Sequence, residues 1–297
     1  MSLCGIKKRV KKNPFLKALL RPAINARRFL LRHKEARKLP FLQEIMSNLH
    51  DLLSQDVVVR LDEFEGMFAM DCRSDLFKTL IISKNYEPSL VQCCNQYLPR
   101  HRDAIDIGAN IGFFTVMFAK KLINGRVLSI EPTPNALLRL HHNIKLNDVG
   151  HKTIVFEGVA TNQTAYAEIK IVEGREEYSS LGVMKHPHIY RDKYLLHKVA
   201  STTIDDLTIR HSLDPGFIKI DVEGVEHLVL EGARGVLENN RPVVLAELSN
   251  YLLTQNGSSS DKVVSMMKYY DYEVINPIDP EIPPGFEKFG HMLCVPK

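Results

Sequence analysis

No window of this sequence approaches the roughly 20 consecutive apolar residues that a membrane-spanning helix requires. The N-terminus shows neither the apolar core nor the small-residue cleavage pattern of a secretory signal; KKRVKK runs instead into a mixed basic stretch. Cysteine is sparse, with Cys4, Cys72, Cys93, Cys94 and Cys294 at spacings that fit neither a disulfide framework nor a zinc site. A reduced, cytoplasmic compartment is the expectation that follows, and Cys93–Cys94 reads as ordinary helix packing. The GxGxxG fingerprint of dinucleotide-binding folds is also absent, which disfavours a nicotinamide-dependent oxidoreductase.

What is present is the balance of a globular chain: 297 residues, 44% hydrophobic and 25% charged, enough for one large domain or two small ones. The net charge of +4 is unevenly spread. Residues 1–38 hold 13 Lys/Arg against the single acid Glu35, so this arm carries +12 and leaves −8 on the rest. Leu16, Leu19, Leu20, Ile24, Phe29, Leu30 and Leu31 alternate with those cations. Such a segment suits an anionic membrane surface, which would make the protein peripheral to a membrane. It also suits nucleic acid, or a solvated helix with a charged outer face.

Three parts are expected. A basic amphipathic arm covers residues 1–40 and ends at Pro40. A lead-in of helices and a strand pair covers 41–100, with VVVRL (57–61) and MFAM (67–70) around DEFEG. A core covers 101–297. In that core, short apolar runs alternate with helical patterns: AIDI (104–107), RVLSIE (126–131), TIVFEGVA (153–160), FIKID (217–221), PVVLAEL (242–248), then YEVINP (272–277) and HMLCVP (291–296). Alternation of this kind predicts an α/β fold: a doubly wound, Rossmann-like, mostly parallel sheet buried on both faces. The last pair, joined by a Pro-rich loop, predicts an antiparallel C-terminal edge. EHLVLEGARGVLEN reads as a helix. Residues 161–200 break the rhythm: AYAEIKIVEG reads as a strand outside the core order, the stretch after it is polar, aromatic and irregular, and the whole reads as a substrate-side insertion at the ligand edge.

The stretch DIGANIG (106–112) follows the first core strand, where ligands of doubly wound sheets bind. Gly108 allows a turn that a Cβ would obstruct, and Gly112 lets the next helix and a ligand come close. Asp106 would repel a phosphate and attract an amine. Glu131 ends the second strand, 25 positions on, where an acid can accept both hydroxyls of a ribose. A ligand with a ribose, an amino group and no phosphate is implied, and S-adenosylmethionine has all three features.

NYEPSLVQ, DAIDIGANIGFFT, VLSIEPTPNALLRLHHNI, STTIDDL, FIKIDVEGVEHLVLEGA and RPVVLAEL together resemble the FkbM family of S-adenosylmethionine-dependent methyltransferases, over roughly residues 77–277. KIDVEGVE is the most specific of these segments. The resemblance implies a class I methyltransferase fold and O-methylation of a sugar or polyketide hydroxyl, and so a glycan, glycolipid or other hydroxyl-bearing substrate. It implies that Asp106, Gly108, Asn110 and Gly112 line the methionine part of the cofactor and that Glu131 holds its ribose. Glu87 of YEP is a further cofactor-side candidate, or only a helix-start acid. Glu157 and Gly158 follow the third strand, on the adenine side.

A sugar hydroxyl is a poor nucleophile until its proton is removed, and a positioned base contributes typically about 10²–10⁴-fold. Candidates lie at strand ends. Asp221 is the first choice and Glu223 the second; Glu226, Glu247 and the insertion residues His186, His188 and His197 are weaker. Glu223 and Glu226 also suit a helix start, and His141 and His142 read as helix surface. Asp221 and Glu247 could instead hold a divalent metal, but hard cations want more oxygen ligands than two, so no metal site is expected. The alternative function is a nucleic-acid (RNA) methyltransferase or binder using the arm. The missing NPPY-type motif of base methyltransferases and the acidic body weigh against it, so nucleic acid is not the expected partner.

Overall fold

The structure, a computed structural model, describes residues 56–72, 74–83, 85–171, 179, 181–182, 194–285 and 290–297. The basic arm, His186 and His188 lie outside the described residues. Among those described, no helix is long and apolar enough to cross a membrane. The described residues fall into two compact units: residues 56–57 with Met70–Tyr86, and Val58–Ala69 with the described part of Glu87–Lys297. In the first, Asp75–Ser83 form helix α1; the Ser74 hydroxyl accepts from the Phe77 N–H, and Lys78 pairs with Asp75.

The strands Asp56–Leu61 (β1) and Gly66–Asp71 (β2) pair as the expected hairpin. The larger unit continues with helix Pro88–Tyr97 (α2), on which Cys93 and Cys94 are buried. Then come Asp103–Ile107 (β3), Phe113–Lys121 (α3), Val127–Glu131 (β4), Pro134–Leu146 (α4) and Thr153–Ala160 (β5). Next are Ala165–Ile171 (β6), Leu195–Thr202 (β7), Ile204–His211 (α5) and Pro215–Ile220 (β8). Glu226–Glu231 (α6), Arg234–Asn239 (α7), Val243–Glu247 (β9), Asn250–Gln255 (α8), Ser260–Tyr269 (α9), Tyr272–Ile275 (β10) and His291–Pro296 (β11) complete it.

Nine strands form one sheet in the order β10-β11-β9-β8-β3-β4-β5-β7-β6. From β9 to β7 all neighbours are parallel; β11 and β10 at one edge and β6 at the other are antiparallel. The C-terminal edge is as expected. At the second antiparallel edge, residues 165–171 form the strand expected of AYAEIKIVEG, and residues 195–202 are also sheet, where the sequence pattern suggested irregular structure. β3, β4 and β8 are buried along their whole length, which explains why they read as unbroken apolar runs. On one face Ile105, Ile107, Ile218 and Val244 meet Leu237 and Met267. Elsewhere Phe64, Phe68, Phe113 and Phe114 interlock at ring-centroid distances of 4.7–6.3 Å, and Phe118 meets Phe217 at 5.6 Å.

The helix expected over EHLVLEGARGVLEN is two helices. A Cβ on Gly232 would lie 1.9 Å from the Thr161 carbonyl oxygen, so the break comes where the chain passes that loop. The chain runs from β3 through β4 to β5 on one side, then crosses to β8 and β9 on the other. The carboxyl ends of β3, β4, β8 and β9 therefore meet at the reversal of strand order, the place where such sheets bind ligands.

Candidate active site

The turn after β3 depends on left-handed backbone. Gly108, Asn110 and Gly112 have φ of +77°, +49° and +92°. A Cβ on Gly108 would sit 1.9 Å from the Asp221 carbonyl oxygen, and one on Gly112 would meet Leu140 at 2.6 Å. The turn is held from outside itself. Gly108 and Ala109 donate to the Ile130 carbonyl, and Asn110 N–H donates to Glu131 Oε2 at 2.9 Å. Asn143 of α4 is fully buried; its amide donates to the Ile111 carbonyl at 2.8 Å, and its Oδ1 accepts from Ala69 N–H at 2.7 Å. The sequence reading overlooked Asn143, whose only signal was a polar residue on the apolar face of α4.

Asp106, on β3, is buried. Its Oδ2 accepts from Thr115 Oγ1 at 2.6 Å, while Oδ1 is shut from solvent without a hydrogen-bond partner. Burial raises its pKa, opposed by Lys219 and the Thr115 bond. Glu131 is likewise buried and raised by burial. Both of its oxygens serve the chain: Oε1 accepts from Thr133 N–H and Oγ1, and Oε2 accepts from Asn110. Each carboxylate oxygen retains a further lone pair, so Glu131 organises the turn and keeps capacity for a ligand hydroxyl.

The segment after β8 has a role for nearly every residue of KIDVEGVE. Lys219 is buried; its Nζ lies 3.1 Å from Asp221 Oδ2 and 4.7 Å from the Phe114 ring centroid. Burial alone would lower its pKa, but Asp221, Asp106 and Glu87 outweigh that and keep it charged. Lys219 was not anticipated, because one cation in an apolar strand has no periodic signature. Glu223 and Gly224 both adopt positive φ, +57° and +94°; for Glu223 this stores about 1–3 kcal/mol. A Cβ on Gly224 would collide with Leu252 of α8. Glu226 is fully buried and accepts from Gly224 N–H at 3.0 Å, clamping the turn. Burial pushes its pKa up to about 7.

Glu247, at the end of β9, completes the group. One carboxylate oxygen from each of Asp221, Glu223 and Glu247 lies within 4.8 Å of the others. Glu247 Oε2 is buried with no hydrogen-bond partner, and desolvation, then the charges of Glu223 and Asp221, push its pKa well up. The sequence reading paired only Asp221 and Glu247; the structure adds Glu223.

The remaining candidates are placed differently. Glu87 has φ of +45° at the start of α2, and its charge acts on Lys219 and Glu247. Glu157 is exposed and paired with His141 at 3.0 Å. Gly158 permits the approach of β7, since a Cβ there would lie 2.4 Å from the Ala200 carbonyl. His142 is exposed, as expected of helix surface. His197 is exposed on β7, four strand positions from β8, or about 19 Å at the usual strand spacing, so the structure separates it from Asp221.

A family model described as the methyltransferase FkbM domain matches residues 106–274. Solved structures resemble the chain more distantly. Methyltransferase FkbM from Methylobacillus flagellatus KT is 20% identical with a TM-score of 0.44, over 71% of this chain and 47% of that one. The chain thus spans about half the length of that structure. Precorrin-6y C5,15-methyltransferase from Geobacter metallireducens GS-15 is 14% identical, TM-score 0.41, over 71% and 88%. An O-methyltransferase from Bacillus cereus in complex with SAH is 15% identical, TM-score 0.41, over 80% and 92%. No curated protein matches the chain.

Proposed function

We propose, from the premise that this chain belongs to the methyltransferase FkbM domain family, that it transfers a methyl group from S-adenosylmethionine to a hydroxyl of a sugar in a glycan or glycolipid. One observation carries the reading: Asp106 holds a buried, unpartnered Oδ1 beside a turn of Gly108 and Gly112 that no Cβ could enter. That arrangement suits an ammonium group pressed close to backbone, and Glu131, one strand over, suits a ribose. The cofactor, when bound, supplies a methyl on a sulfonium whose leaving group is a neutral thioether. The chain's own task is then to orient the acceptor and remove its proton. Asp221, Glu223 and Glu247 suit that task, because three carboxylates at adjacent strand ends surround one position where a hydroxyl can sit. Lys219 holds Asp221 in place through the 3.1 Å ion pair.

The test has two parts. Calorimetry on the full chain measures S-adenosylmethionine binding. Incubation with cofactor and candidate lipid-linked glycans, followed by intact-mass measurement, reads the gain of one methylene. Asp221→Asn should lower turnover by about 10²–10⁴-fold while leaving cofactor affinity nearly unchanged. Normal turnover in that variant would remove Asp221 from the chemistry.

A further inference from the structure

Asp221, Glu223 and Glu247 are drawn from two different strand ends and a strained turn, yet they converge. Carboxyl groups this close repel one another when ionised, and chains gather them at a cost unless something cationic is held between them. Lys219 balances one of the three charges, through Asp221. A second observation is independent of the clustering: Glu247 Oε2 is closed off from water and accepts no hydrogen bond. A buried carboxylate oxygen in that condition ordinarily finds a donor or a metal.

The dimensions agree. Two oxygens on opposite sides of one cation are separated by at most twice the metal–oxygen distance, about 4.2 Å for Mg²⁺ and about 4.8 Å or slightly more for Ca²⁺. The three oxygens lie within 4.8 Å of one another, close enough to face one ion, with the side chains drawing inward to reach the shorter bonds of Mg²⁺. Carboxylate oxygen is the ligand type that Mg²⁺, Mn²⁺ and Ca²⁺ prefer. Three protein ligands leave positions for water and for an acceptor oxygen. The clamp of Glu226 on Gly224 sets the turn that presents Glu223, as groups behind a metal site orient its ligands.

We propose that Asp221, Glu223 and Glu247 bind a hard divalent cation, Mg²⁺ or Mn²⁺, that holds the acceptor hydroxyl and lowers its pKa. The purpose of the ion rests on the methyl-transfer reading above; its binding does not. On the cation the hydroxyl O–H breaks, with its electron pair staying on oxygen and its proton passing to water. That oxygen forms the new O–CH₃ bond as the S–CH₃ bond breaks and its pair returns to sulfur. Asp221 then acts as a ligand, and its loss reduces turnover by loss of the ion.

The experiment is a titration of the full chain with Mn²⁺, read as loss of the free-ion signal in electron paramagnetic resonance, beside calorimetry with S-adenosylhomocysteine in chelator. One Mn²⁺ per chain is expected, displaced by Mg²⁺. Glu247→Gln should weaken it by about tenfold or more, the loss typical of disturbing even a group that supports a metal ligand, with S-adenosylhomocysteine affinity kept. Glu223→Gln, in a half-exposed turn, serves the same purpose if Glu247→Gln fails to fold by circular dichroism. Absence of bound Mn²⁺ in the wild type, or equal binding in wild type and variant, would overturn the site. Wild type that binds Mn²⁺ but no S-adenosylhomocysteine would support the site and overturn the methyl-transfer reading.

Discussion

Lys219→Met keeps the length and apolar stem of the side chain and removes only the ammonium. In the wild type that ammonium lies 3.1 Å from Asp221 Oδ2 and 4.7 Å from the Phe114 ring centroid. At an effective dielectric of about 20, a pair at that distance attracts by about 5 kcal/mol before desolvation is subtracted. Breaking a buried pair by removing one partner costs about 3–5 kcal/mol. Asp221 keeps 31% of its side chain exposed and can recover water, so the low end applies, about 3 kcal/mol. The lost cation–π contact is offset by a sulfur–aromatic contact of similar size, about 0.5–1.5 kcal/mol. Asp106, which is buried, has no such recourse and answers by taking a proton.

The pH dependence separates this from a packing defect. The pKa of Lys219 is raised in the fold, so its contribution is complete below the unfolded lysine value and lost only as pH rises through the folded one. It is fully present from pH 5.5 to 8 in the wild type. In the variant the Asp106 pKa, already raised by burial, rises further above its unfolded value. Its protonated form gains stability as pH falls, so the deficit is larger at pH 8 than at pH 5.5. The chain has no Trp, so guanidinium unfolding is followed by circular dichroism in chelator. A loss under about 1 kcal/mol at pH 8, typical of an exposed ion pair, or equal losses at both pH values, would falsify the assignment of Lys219 as the counter-charge. In Lys219→Met, a further Asp221→Asn change should cost less than it does in the wild type, because the two residues act as one unit.

Glu131→Ala removes an acceptor of three hydrogen bonds; S-adenosylmethionine affinity should fall by about ten- to a hundredfold, as expected from 1.5–3 kcal/mol, and unchanged calorimetry would exclude Glu131 from the site. Glu226, held at about 7 by burial, contributes stability that is complete below its unfolded value near 4.5 and is lost as pH rises through 7. The unfolding midpoint in metal-free buffer should therefore rise on going from pH 8 to 5.5, and Glu226→Gln should flatten that slope; an unaltered slope would assign it to other groups. Deleting residues 1–38 should abolish sedimentation with anionic liposomes and spare cofactor binding. Equal sedimentation of both forms would end the membrane reading of the arm.

The parts of the fold legible in sequence are those fixed by local pattern. β3, β4, β8 and β9 are short apolar runs with Asp106, Glu131, Asp221 and Glu247 within one residue of their ends, because strands buried on both faces tolerate polar side chains mainly near their tips. β7 was hidden, since Leu195 and Leu196 stay exposed and more than 20 residues separate it from β6, the strand that the pattern did suggest. The break at Gly232 and the tolerance at Gly158 depend on the Thr161 and Ala200 carbonyls arriving from elsewhere. The site divides in the same way. Asp106, the two loop glycines and Glu131 fall at strand ends and could be placed. Lys219 and Asn143 could not, because their importance lies in what they touch across the sheet.

The convergence of Asp221, Glu223 and Glu247 follows from strand order rather than from any one segment. β8 and β9 are parallel neighbours, with Ile220 beside Ala246, so the residues that follow emerge side by side at one end of the sheet. Glu223 joins them only because the turn after β8 bends back through two left-handed residues under the clamp of Glu226. A turn selected for stability alone would place Asn or Gly at the strained position and leave no carboxyl in a desolvated corner. This chain does the reverse: it accepts backbone strain at Glu223, a buried acid at Glu226 and an unpartnered oxygen on Glu247, all within one end of two strands. Violations of local preference that gather at a single point mark the place where function, not folding, set the residues. Here they gather beside Asp221, whose carbonyl lies against the Gly108 turn that follows Asp106.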